Sequence, residues 1–352
     1  MISTNPETDK LVHAIIDDTL KKHDAMVQPG LSRGLAGLTA FLYYGAKFTG
    51  NTQLEKIGGK LIDKIYNQMS QKIFSTDFVD GLTGIGCMIE YLVQNRFVEA
   101  DTDVILEDVD NKIFRAIAHV EKIPFGIRNG LLGYATYLIL RLKNCNDRET
   151  RFILENLLIE IINKASLEIE KGNFNAVEPL NFNVFWNLPV LLAILSECIK
   201  LEIHKQKIYQ VIYELEPVVL SFIPIKSSNR LFLLLGVGSI AKTVRFENWH
   251  KHAELLKDSL NIHETLTNEF GLRNIFVANG LTGVLILTFI FREVMDFISL
   301  KLDYELFFER IQNSEIIKNL ERESKDIPLG ILNGVAGIAL TRILVSNLEK
   351  DR

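Results

Sequence analysis

GLAGLTAFL (34–42), GLTGIGCMI (81–89), GLLGYATYL (130–138), GLTGVLILT (280–288) and GVAGIALTR (334–342) are five copies of one phrase. Each sets two glycines three residues apart and runs on as an apolar stretch. The step from Gly130 to Gly280 is far longer than the others, so two degenerate copies are expected within it. WNLPVLLAIL (186–195) sets Asn187 at the first-glycine place. LLLGVGSIAK (233–242) sets Leu235 there, with Gly238 at the second. Seven copies then follow one another at spacings of 47, 49, 57, 48, 45 and 54 residues, a period that marks a repeat architecture.

The phrases continue into stretches such as YATYLILRL (134–142) and VLILTFIF (284–291), apolar almost all round, as buried helices are. Between them lie charged segments such as LEKIGGKLIDKIYNQMSQKI (54–73) and DTDVILEDVDNKIFRAIAHVEKI (101–123). Their apolar residues recur every three or four positions, which predicts helices with one wet face. No segment sustains strand alternation, and no Asn-Gly or Asp-Gly pair links two β-branched runs. The unit is therefore an outer helix, a loop, a glycine phrase and an inner helix. Inner helices this apolar do not suit an open surface facing water, so the repeats are expected to close into an all-α toroid. Residues 1–352 read as one toroid domain, with a helical extension over 1–27.

With 47% hydrophobic residues in 352, the chain has ample material for a core. A net charge of −5 leaves no basic footprint for nucleic acid. Cys87, Cys145 and Cys198 form no CxxC pair and read as small core residues in a reducing compartment. The opening MISTNPETDK shows no secretion signal, and IFVANGLTGVLILTFIF (275–291) is too short and too interrupted to span a bilayer. A cytoplasmic protein without a membrane span is expected.

Two glycines three apart share one side of a helical turn, where they let neighbouring backbones approach at one mouth of the ring. The residues just before the phrases are Arg33, Asp80, Asn129, Trp186, Leu234, Asn279 and Asn333. Five of these are polar or charged, which predicts a polar collar at that mouth. Asn is also a preferred helix N-cap, so capping competes with ligand binding at Asn129, Asn279 and Asn333. Arg33 and Arg128 are poor caps and are suited to holding a carboxylate or a peptide carbonyl. His250 and His252, in NWHKHAEL (248–255), are a close pair, but two residues apart on a helix they point in different directions.

Seven glycine phrases at this period resemble the lanthionine synthetase C-like family, a seven-fold α/α toroid. The resemblance runs from Gly30 to Leu344. TDFVDGLTGIG (76–86) looks like the family's second repeat and FGIRNGLLGYATYL (125–138) like its third. The resemblance implies a zinc cyclase that adds a peptide cysteine thiol to a dehydrated serine or threonine. Zinc would be held by a cysteine of the fifth repeat and a Cys-His pair before the sixth phrase, assisted by a histidine and an aspartate. In this chain Leu233, Ala278 and Asn279 stand at the ligand positions, and Asn129 at the histidine position. Asp77 alone matches, as the family's aspartate. No zinc or other cofactor is therefore expected.

Without a metal, a thiol of ordinary pKa about 8.5 is only about 3% thiolate at pH 7. That withdraws roughly 2 kcal/mol of nucleophile preparation. A neighbouring base offsets part of such a loss, and Asp77, with Asp80 one turn on, is the candidate. The favoured expectation is a zinc-free toroid of modified-peptide biosynthesis that holds a precursor peptide or a partner modification enzyme. A zinc-independent cyclase is the alternative. An α/α-toroid glycosidase using Asp77 and Asp80 is a lesser one, since two neighbours in one turn are poorly placed to flank a glycosidic bond.

Overall fold

The computed structural model describes residues 6–71, 74–119, 122–321 and 327–350. Fourteen of its helices form two concentric layers. The inner layer holds α2 (Leu35–Thr49), α4 (Leu82–Gln94), α6 (Leu131–Leu142), α8 (Asn187–Lys200), α10 (Ser227–Thr243), α12 (Leu281–Ile290) and α14 (Val335–Lys350). The outer layer holds α1 (Pro6–Lys22), α3 (Thr52–Gln71), α5 (Glu107–His119), α7 (Arg148–Glu170), α9 (Lys205–Leu220), α11 (Glu247–Asp258) and α13 (Tyr304–Gln312). Each inner helix packs on the next, and α14 returns to α2, so the ring closes. No strand occurs among the described residues.

Burial follows the sequence pattern. Leu35, Leu38 and Phe41 of α2 are inaccessible, as are Leu231 to Leu235 of α10 apart from traces. The outer helices bury one stripe each, such as Leu54, Leu61 and Ile65 of α3 or Val109, Ile113 and Ile117 of α5. The N-terminal helix α1 backs the last inner helix, α14, and buries Val12 and Ile15 completely. Residues 1–5 of the expected extension lie outside the described residues. Cys87, Cys145 and Cys198 are all buried free thiols.

The fifth repeat departs from the expected register. Leu235 does not open its inner helix, because α10 starts eight residues earlier at Ser227. The glycines there serve helix packing. A Cβ on Gly236 would stand 2.9 Å from the Cα of Pro189 in α8, and one on Gly238 would stand 2.6 Å from Val294 Cγ1. In the fourth repeat Trp186, and not Asn187, is the cap position.

One buried ion cluster ties the second repeat to the third. Arg141 of α6, fully buried, donates to Asp110 at 2.8 Å, to Glu90 at 3.1 Å and to Asp103 at 3.2 Å. Tyr137 donates its hydroxyl to Asp110 at 2.6 Å. Burial opposes the charge on Arg141, but Asp110 and its neighbours outweigh it and hold the guanidinium protonated. At the C-terminal ends of the inner helices, Lys143, Glu197, Lys200, Glu293 and Lys242 form a looser, partly exposed chain of ion pairs.

A collar of loops as the candidate functional site

Each glycine phrase is preceded by a loop that folds back over the start of its own inner helix. Five repeats do this identically. The first free N–H groups of the helix donate to carbonyls seven residues earlier: Leu35 to Gln28, Leu82 to Ser75, Leu131 to Pro124, Leu281 to Asn274 and Val335 to Pro328. These bonds satisfy donors that a helix start otherwise leaves open. Asn129 and Asn279 are therefore not N-caps. Gly130 and Gly280 hold that position with no side-chain cap, and the loop's carbonyls cap instead.

The same fold-back accounts for both glycines. At Gly130 a Cβ would collide with the Pro124 carbonyl. At Gly133 it would collide with the Ile127 carbonyl and reach 3.0 Å from Phe78 Cβ of the preceding repeat. Phe78 is the third residue before its own first glycine. That place is apolar throughout, as Leu31, Phe78, Ile127, Val277 and Ile331. Four of these side chains press on a second glycine of the next repeat: Leu31 on Gly84, Phe78 on Gly133, Val277 on Gly337 and Ile331 on Gly37.

Backbone hydrogen bonds stitch the loops into a row along the mouth. Ser32 donates to Val79, Phe78 to Arg128, Ala278 to Leu332, and Leu332 back to Ser32, at 2.8–3.3 Å. The loop before α8 joins the loop before α12 directly, through Val184 N–H to the Ala278 carbonyl at 3.1 Å. Val184 and Phe182 also fill the place over Gly283. The fifth repeat is bypassed, and α10 is capped by other means. Glu269 accepts the N–H groups of Ser227 and Ser228, while Glu178 accepts those of Ile225 and Lys226 and an amide proton of Asn229.

This row sets the residues before the glycines at equivalent places along one mouth. Arg33, Asp80, Asn129 and Asn279 are exposed there, and Asn333 is half-buried. Ordinary packing fixes the neighbours: Gly30 lies against Asp80, and Gly330 against Arg33. Arg128 is exposed and lays its guanidinium over the Phe185 ring at 4.1 Å. Trp186 is different. It is buried edge-on against Phe222 and Phe232, and its indole N–H has no partner among the described residues.

Asp77 sits half-buried in the loop before α4, with both carboxylate oxygens engaged. One accepts the Ser75 hydroxyl, and the other accepts the Asp80 N–H at 2.7 Å. Asp77 and Asp80 thus belong to a single turn, which does not place them on two sides of one bond. Beside them the Thr76 hydroxyl meets the Tyr134 hydroxyl of α6 at 2.7 Å. Sequence reasoning passed over this pair, because a tyrosine in an apolar helix reads as core.

The positions where zinc ligands would stand do not fit a metal. Ala278 is buried, its side chain offers no donor, and its N–H and carbonyl are both spent in the row of loops. Leu233 lies two turns inside α10 and is wholly buried, so it does not mark the fifth-repeat ligand place. The residue two before the cap of α10 is Pro224, which also lacks a donor side chain. His250 meets the carbonyl of Phe246, and His252 is buried in the outer helix α11. Among the described residues no three His, Cys, Asp or Glu side chains converge as a metal site requires. No described helix is long and apolar enough to cross a membrane.

Residues 25–182 match the model of the lanthionine synthetase C-like protein family. Nine solved chains match the fold. One of them, a nisin cyclase, superposes with a TM-score of 0.70 over 99% of this chain and 95% of its own, at 13% identity. No curated protein sequence matches the chain. Identity that low speaks for the α/α toroid alone, but the family match covers the first three repeats, where the collar loops keep their regular form. Over that span the chain is similar to the lanthionine synthetase C-like family, and the remaining repeats complete the α/α toroid.

Proposed function

We propose that the collar mouth receives a peptide, in a role related to lanthipeptide modification, and binds it without zinc chemistry. The observation that carries this reading is the contrast at Ala278 and Asn279. Ala278 is committed to the scaffold through both backbone groups, while Asn279 and the equivalent Arg33, Asp80 and Asn129 remain exposed around the mouth. None of the side chains of Arg33, Asn129, Asn279 and Asn333 makes a hydrogen bond to another described residue, so each is available to a ligand. Asparagine offers one acceptor and two donors, the complement of a peptide backbone. Arg33 and Arg128 supply fixed forks for a carboxylate or a carbonyl. The ligand is a precursor peptide or a peptide segment of a modification enzyme.

Zinc-independent cyclisation is the second reading, and Asp77 is the group on which it rests. Asp77 already accepts the Ser75 hydroxyl and the Asp80 N–H, and a thiol proton would go to one of its remaining lone pairs. Both readings are tested with one synthetic peptide carrying a dehydroalanine and a cysteine. Binding is followed by calorimetry and ring closure by maleimide trapping of the free thiol. The binding reading expects saturable binding, weakened about tenfold by Arg33→Ala together with Arg128→Ala, and a ring-closure rate no faster than in buffer. Acceleration that is lost in Asp77→Asn would establish the cyclase instead. Absence of saturable binding, with no acceleration, would overturn both.

A further inference from the structure

A cleft of about 1150 Å³ lies on the outer wall, beside the C-terminal ends of α4 and α6. The collar stands at the opposite, N-terminal ends of the same helices. Six carboxylates line the cleft: Asp101, Asp103, Glu107, Asp110, Asp147 and Glu149. No lysine, arginine or histidine is among the described residues that line it. Arg141 lies buried beneath and neutralises part of this charge through Asp103 and Asp110. Asp101, Glu107, Asp147 and Glu149 have no ion pair with a described residue.

Two of these acids, Asp103 and Asp147, are held in the charged form. Burial works against the charge on Asp103, but the N–H groups of Asp147 and Asn146, the Cys145 thiol and Arg141 outweigh it and hold the carboxyl below its ordinary range. The Thr150 N–H lowers Asp147 in the same way. Three large apolar side chains stand in the same cleft and face water: Val104 at 66% exposure, Ile153 at 46% and Phe114 at 42%. Apolar exposure rimmed by one sign of charge marks an interaction surface. The volume exceeds the usual 300–1,000 Å³ or so of a small-molecule site. It corresponds to roughly ten residues of helix, about 10 Å across and 15 Å long.

We infer that this cleft is a docking groove for an amphipathic helix bearing lysine or arginine, contributed by a protein partner. The apolar face of that helix packs on Val104, Phe114 and Ile153, and its cations meet Glu107 and Glu149. Charge complementarity selects the partner and speeds encounter, while the three apolar residues hold it. The groove does not depend on what the collar binds.

The test uses the full chain and a fluorescein-labelled amphipathic helical peptide with leucine on one face and lysine on the other, read by anisotropy. Saturable binding at about 10 μM or tighter is expected. It should weaken about tenfold in Glu107→Lys/Glu149→Lys, and severalfold in Phe114→Ser, which removes an exposed side chain and leaves the fold intact by circular dichroism. Three results would overturn the inference. One is no saturable binding at about 100 μM. Another is equal binding of a scrambled peptide of the same composition, which would mean unspecific attraction. The third is unchanged affinity in both folded variants.

Discussion

Leu131 donates its backbone N–H to the carbonyl of Pro124 at 2.9 Å, so the start of the third inner helix is capped by a carbonyl seven residues behind it. The arrangement leaves no room for a side chain at Gly130 or Gly133. In an open helix, glycine to alanine stabilises by about 1 kcal/mol. Gly133→Ala should instead destabilise by about 2 kcal/mol or more, since the added methyl meets the Ile127 carbonyl. Gly59→Ala in α3 is the control. Its Cβ meets only the Tyr43 hydroxyl, at 3.9 Å, so it should stabilise by up to about 1 kcal/mol. Urea unfolding of the two variants decides the matter. A neutral Gly133→Ala would show that the loop gives way freely.

The capping arrangement makes a second contrast. Because loop carbonyls serve the start of α6, Asn129→Ala should change stability by less than about 0.5 kcal/mol. At α10 the cap is Glu269, which accepts from Ser227 and Ser228. Glu269→Ala removes both bonds and a favourable charge at a helix start, and should cost about 1–3 kcal/mol. Thermal melts of the two variants measured side by side check this. A large loss in Asn129→Ala would return that residue to the role of cap.

The period of the glycine phrases was enough to read an all-α ring of seven inner helices, because the close approach that demands glycine recurs in every loop of regular form. The fifth repeat was misread for a physical reason. Leu235 and Gly238 have the spacing of the phrase, yet Gly236 and Gly238 admit Pro189 and Val294 from neighbouring elements and have no loop folded over them. Asn129 and Asn279 looked like caps since asparagine usually caps. Carbonyls of the preceding loop do that work, and a carbonyl leaves no mark in the sequence. The apolar residue three places before each phrase was present to be noticed, and it is the legible half of the glycine contact. The acidic cleft was not legible, for its six carboxylates come from two segments brought together only by packing.

Arg141 should be the costliest single charge to remove. It is fully buried against Glu90, itself inaccessible, and against Asp110 and Asp103. Arg141→Met keeps much of the volume but strands at least one buried carboxylate, for an expected loss of about 3–5 kcal/mol. Lys143→Met, two residues on, breaks a half-exposed pair with Glu197 and should cost less than about 1 kcal/mol. Chemical denaturation of each variant at neutral pH gives the comparison. Similar losses in the two would mean that the cluster is more hydrated than its burial implies.

His252 sets a stability limit on the acid side. The ring is buried in α11 with Nε2 unpartnered, and burial depresses its pKa despite an opposing contribution from the Phe222 backbone. The unfolded chain therefore binds a proton at His252, near the ordinary pKa of about 6.5, before the folded chain does. Stability from this residue is intact above that pH. As the pH falls below it, stability declines by at most about 1.4 kcal/mol per pH unit, until the folded ring also protonates. His252→Gln lacks this titration, so its stability relative to the parent should improve between about pH 7.5 and pH 5.5. The measurement is urea unfolding of both proteins at several pH values, taking the difference so that the other histidines cancel. A difference that stays flat across this range would mean that His252 keeps its ordinary affinity for protons inside the fold.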